Sequence, residues 1–203
     1  MLLDVAAVVQ MQFETVERWH QPDRENRYSG LMALICDQHH DNFSLWHEED
    51  SARDPQSSDV EIAAVKRRID KLNQSRNDRI EQIDDWIAQE VQRRNIVVRA
   101  DARVNTESPG SAVDRLSIMA LRLYHLEEQR RRTDVGVDHV ASLNQKIAVC
   151  KAQHLRLSQA LAALLDEIER GTCRHECFRQ FKMYNDKTLN PYLYRAASHP
   201  HTS

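Results

Sequence analysis

On two different predicted helices a histidine precedes a carboxylate by three residues: His47 with Asp50, and His125 with Glu128. On a helix this spacing puts imidazole and carboxylate on one face. A pair so placed can share a metal ion, and di-iron bundles use the related Glu-x-x-His pair twice. A further polar set, Lys66, Asp70, Asn73, Asn77, Glu81 and Asp84, recurs at steps of three or four and lines one face of a helix. The expected metal ligands are therefore His47, Asp50, Glu81, His125 and Glu128. The expected catalytic groups are His47, Asp50, Asp70, Asn73 and Asn77. Lys66, Arg76, Arg115, Lys182 and Asn185 are the expected contacts to an anionic substrate.

The donor types set the chemistry. Carboxylates with one or two imidazoles suit iron, manganese or magnesium better than a thiolate-held zinc. Such a metal activates water or polarises a phosphoryl oxygen. With no metal, His47 held by Asp50 still makes an oriented general base. Each feature also has a plainer reading, since a His–carboxylate pair is often a surface hydrogen bond and a charged stripe a solvated flank with internal pairs such as Lys66 with Asp70. A rival zinc set, Cys150, His154, Cys173 and Cys177, lacks the tight Cys-x-x-Cys spacing of structural zinc. Neither a glycine-rich phosphate loop nor a Gly-x-Ser-x-Gly elbow occurs.

These residues need helices to hold them. Punctuation predicts helices over about 4–20, 31–53, 59–95, 111–132 and 138–170. Pro22 and Pro55 end the first two, and Ser58 with Glu61 makes a capping box for the third. The third helix is about 50 Å long, with an apolar seam through Ile69, Ile80, Ile83 and Ile87. Ser111 with Asp114 is read as the cap of the fourth helix, which would explain Asp114 without a site. Ile96-Val97-Val98 could make a short strand, but no partner strand is evident. The expected fold is an all-α antiparallel bundle of about five helices, one very long. It forms a single domain over 1–203: an N-terminal helix and turn over 1–30, a bundle core over 31–170, and a tail over 171–203 packed on the bundle and able to cover a cleft.

Hairpin counting from the turns sets His47 opposite Val65 and Lys66, and His125 near Glu81. Two sets follow: His47, Asp50, Lys66 and Asp70 near one end, and Asn77, Glu81, His125 and Glu128 nearer the middle. This register argues against the carboxylate arrangement of all-α nucleotide pyrophosphohydrolases.

Composition narrows the class. The chain has 203 residues, 29% of them charged, and a formal net charge of −3, which argues against a general nucleic-acid binder. No apolar stretch is long enough to span a bilayer. No signal peptide is read, so a cytoplasmic protein with reduced cysteines is expected.

Four ordered motifs carry a family resemblance: Leu45-Trp46-His47-Glu48-Glu49-Asp50; Lys66-Arg67 with Ile69-Asp70, Asn73-Gln74 and Arg76-Asn77-Asp78; Ser108-Pro109-Gly110-Ser111 with Asp114-Arg115-Leu116-Ser117-Ile118; and Lys182-Met183-Tyr184-Asn185-Asp186. With these the sequence resembles the bacterial family DUF4254, a domain of unknown function. The resemblance implies no established activity. Its members are often encoded near genes for cell-surface polysaccharide assembly.

Two functions are carried forward. The first is an enzyme, a metal-dependent hydrolase or oxygenase acting on a small anionic metabolite in a polar site inside the bundle. The second is a non-catalytic helical scaffold linked to surface polysaccharide assembly, with the long helix as a homodimer surface.

Overall fold

Each helix begins or ends where the sequence supplies the groups that close it. α1 (Val5–Trp19) starts at Asp4, whose carboxylate accepts from the Ala7 amide. α2 (Gly30–Ser51) follows the Pro22 break. α3 (Asp59–Arg93) opens on the expected capping box, in which the Ser58 hydroxyl and the Glu61 carboxylate bind each other's backbone amides. α4 (Pro109–Arg130) and α5 (Val137–Glu169) complete the bundle. The computed structural model describes residues 1–181, 183 and 186–193. The all-α fold with one very long helix is as the sequence predicts.

Three local readings are corrected. The cap of α4 is Ser108, whose hydroxyl accepts from the Ser111 amide, and Pro109 fills the first helical position, where no N–H is needed. Asp114 therefore lies inside the helix and plays no part in its cap. The extended residues are not Ile96-Val97-Val98: β1 (Arg103–Val104) pairs in parallel with β2 (Cys173–Arg174), just past α5. The third correction is register. The Gly110 amide donates to Asp84 Oδ1 (2.7 Å), and Arg76 clamps Asp114. α4 thus starts well before the end of α3, because residues 94–108 double back along its last turns. His125 is carried past Glu81 toward the start of α3, to the level where His47 sits.

Close approach at this crossing needs glycine. A Cβ on Gly110 would lie 2.6 Å from the Ile80 carbonyl oxygen and 2.9 Å from the Asp84 carboxyl carbon. Gly to Ala inside a helix ordinarily stabilises by about 0.5–1 kcal/mol. Here Gly110→Ala is expected to destabilise by about 1–3 kcal/mol, as overpacking does. The Tm from calorimetry checks the sign: a rise would refute the close packing.

α2 packs along α3, α4 along α5, and α1 lies across α4, α2 and α5. The main core is built where they meet, with Trp19, Ile35, Phe43, Ile83, Ile87, Leu116 and Leu161 almost completely buried. Between α2, α3 and α4 the core is polar. Asp114, 4% exposed, accepts from Arg76 Nε (2.8 Å) and Nη2 (2.6 Å), Gln38 Nε2 (2.6 Å) and Asn42 Nδ2 (2.8 Å). Asn42 also donates to Ser117, whose hydroxyl donates to His39 Nδ1 (2.6 Å), while His39 Nε2–H donates to the Gln12 carbonyl (3.0 Å). Arg79 pairs with Asp41 beside them. Every helix that bears a site histidine is tied to its neighbours through this network.

Candidate metal centre

His20 ends α1, His47 lies on α2 and His125 on α4, and the three rings meet. Their centroids are 5.3 Å (His20–His47), 5.2 Å (His20–His125) and 5.6 Å (His47–His125) apart. One potential ligand atom from each lies within 4.8 Å of the other two. Among the described residues they form the group of three or more such side chains close enough to hold a metal ion.

The outer nitrogens fix the tautomers. His20 Nδ1–H donates to the Val16 carbonyl (2.7 Å), one of the last-turn carbonyls a helix leaves free. His125 Nδ1–H donates to Glu128 Oε2 (3.1 Å). Carbonyl and carboxylate only accept, so both rings carry the proton on Nδ1 and turn a lone pair outward from Nε2. The Nε2 atoms of His20, His47 and His125 are all buried and all lack a hydrogen-bond partner.

Aromatic rings enclose the cluster. Tyr124 stacks on His20 at 4.2 Å, Trp46 on His125 at 4.7 Å, and Phe43 packs edge-on to His47 at 4.5 Å. Burial lowers the pKa of His47, and the neighbouring His20 and His125 lower it further; Asp50 opposes them. The neutral, ligating form of His47 is thereby favoured. Arg24 lies over the Phe43 ring at 5.4 Å and brings a positive charge close to His40 and His47.

The other sequence-selected residues take different places. Glu128 bonds the outer nitrogen of His125 and so supports a ligand. Asp50 is exposed and acts on His47 through its charge. Lys66 and Asp70 form an exposed pair one turn apart. Asn73 is half-buried, and Asn77 is 7% exposed with an unpartnered Nδ2. Arg76 is engaged by Asp114, and Glu81 by Arg179 and the Gln180 amide. Arg115 is exposed on α4. Lys182 and Asn185 lie outside the described residues. The four cysteines are free, and burial raises the thiols of Cys150, Cys173 and Cys177, the last to about 11, away from the thiolate that zinc requires.

Sequence reasoning missed His20. It ends its helix just before the Pro22 break, and although Glu17 precedes it by three residues, only tertiary packing brings it to His47 and His125. A usable signal existed in Trp19-His20, an aromatic and a ligand type at a helix terminus, but that pattern has many ordinary explanations.

One family, described as "Protein of unknown function (DUF4254)", matches the chain over residues 32–177, more than half of its length. The match takes in His47 and His125 and stops short of His20. No curated protein and no solved structure gave a match.

Proposed function

The chain belongs to the DUF4254 family, whose description assigns no function, and from that premise we propose that it is a metal-dependent enzyme with a three-histidine centre at His20, His47 and His125. One observation carries the reading: three histidines whose buried Nε2 atoms have no hydrogen-bond partner each bring a ligand atom within 4.8 Å of the other two. A buried polar nitrogen left unsatisfied costs about 1–3 kcal/mol, and at Nε2 these imidazoles make no hydrogen bond to one another. A single cation satisfies all three.

The supporting shell is of the kind metal-bound histidines use. A carboxylate (Glu128) and a backbone carbonyl (Val16) hold the outer nitrogens of two ligands. A four-coordinate zinc ion would need the three nitrogens about 3.4 Å apart, and a ligand atom of each ring already lies within 4.8 Å of the other two. An all-imidazole set suits zinc, copper, nickel or iron and disfavours magnesium. It lacks the carboxylate of the two-histidine facial triad used by non-haem iron oxygenases, which favours hydrolysis over oxygenation. Bound there, zinc would lower the pKa of a water toward neutrality and supply the nucleophile. Arg24, at the rim beside His47, is the cation suited to a small anionic substrate.

Metal content tests this directly. Zinc is expected to bind the purified chain one to one by mass spectrometry of metals and by titration calorimetry. His47→Ala and His125→Ala each abolish binding with an unchanged far-ultraviolet dichroism spectrum. Glu128→Gln weakens it about 10–100-fold, the usual cost of losing such a partner. Equal zinc stoichiometry in wild type and in a protein lacking His20, His47 and His125 together would sink the proposal.

A further inference from the structure

α5 packs against α1 and α4, and on its other flank it leaves an open furrow along α4. Two adjoining hollows of 550 and 400 Å³ run along this furrow and share Arg122 and Gln153. The walls carry Arg115, Arg122, Lys146 and Arg156, and no carboxylate. None of these four cations has a hydrogen bond or ion pair among the described residues. Their isolation is unusual in this chain, whose net charge is −3 and whose other arginines mostly pair with Asp or Glu. Beneath the cations the floor is apolar: Ile118, Leu126, Val149 and Leu157, with Val149 52% exposed.

The geometry points to a docking groove for an acidic amphipathic helix of another protein. Two antiparallel helices offer a third helix a ready seat, and anchors at i, i+3, i+4 and i+7 would enter the apolar floor. From Arg115 to Leu126 the groove runs about 17 Å, at ~1.5 Å per residue, which is room for roughly three turns of a partner. Carboxylates flanking its apolar stripe would meet the four cations on either side. Single-stranded nucleic acid fits the furrow poorly, since no aromatic ring lines it to stack a base. A flat membrane surface would not reach an apolar floor sunk between two helices. None of His20, His47 and His125 lines the groove, so this binding does not draw on the metal centre.

A fluorescein-labelled peptide of about sixteen residues, with leucines at i, i+4, i+7 and i+11 and glutamates on the flanks, is the probe. Its anisotropy is read at low and raised salt against the same peptide with lysines in place of glutamates. The acidic peptide is expected to bind at least tenfold tighter than the basic one and to weaken at least tenfold at raised salt. Arg122→Glu and Arg156→Glu should each cost about tenfold, with unchanged melting, and Val149→Asp should cost a similar factor through the floor. His125→Gln, which should remove zinc binding, should leave peptide binding unchanged. The proposal is overturned if the acidic peptide shows no preference, or if charge reversal leaves its binding intact. It is equally overturned if sedimentation shows a dimer that Arg122→Glu dissolves, or if oligothymidylate or anionic vesicles bind the groove while the peptide does not.

Discussion

Asp114→Ala is expected to cost about 3–5 kcal/mol of folding stability, the range seen when one partner of a buried ion pair is removed. The reason is what the substitution leaves behind. Arg76 would keep its charge between α3 and α4 with no counter-ion, and Gln38 and Asn42, both nearly inaccessible to water, would lose the oxygen they donate to. Asp114→Asn should recover only part of the loss, because the amide removes the negative charge and, with its nitrogen at the Oδ2 position, faces the Arg76 Nη2 donor. Arg76→Lys should fall between, keeping the charge and losing the two-pronged grip on the carboxylate. Asp114→Leu combined with Arg76→Met should be more stable than Asp114→Ala, since no charge is then stranded. Urea unfolding of the five proteins measures all of this. A loss below about 1 kcal/mol for Asp114→Ala would show that water reaches the network and screens it.

This network also shows where the sequence was legible and where it was not. The helices were readable because caps, prolines and apolar steps at three and four are local signals. The polar stripe of α3 was also visible, but periodicity reports only which residues share a face. It did not distinguish Lys66 and Asp70, which pair in solvent, from Asp84, which turns inward to hold α4. Asp114 was set aside as a cap residue, although it is the hub joining α2, α3 and α4. Register was misjudged for a physical reason. Counting from a turn assumes that the connection spends no length running alongside the helix, whereas residues 94–108 return along α3 before α4 begins. That displacement is what carries His125 from the level of Glu81 to that of His47. The third histidine arrives from α1, and no spacing within the chain connects position 20 to positions 47 and 125.

His39 should make the folded protein acid-sensitive in a way one substitution removes. Its ring is fully buried, with Nε2–H given to the Gln12 carbonyl and Nδ1 accepting from Ser117. Both nitrogens are satisfied only in the neutral form. Burial lowers its pKa to about 3, with the Gln12 carbonyl opposing and His40 adding to the depression. An unfolded chain takes up this proton near pH 6.5. Between pH 6.5 and about 3 the unfolded state therefore binds one more proton than the folded state at this site, so stability falls as pH falls. The slope from His39 alone approaches ~1.4 kcal/mol per pH unit across that window. His40, His47 and His154 are also lowered by burial and add slope of the same sign. The expected result in urea unfolding with chelator, from pH 7 to 4.5, is a lower plateau for His39→Gln and a curve flatter than wild type by about one proton. Parallel curves would mean that His39 already carries its proton in the folded state. An imidazolium would then sit where Ser117 and the Gln12 carbonyl leave room for only one donor, and the polar core would have to be rearranged around it.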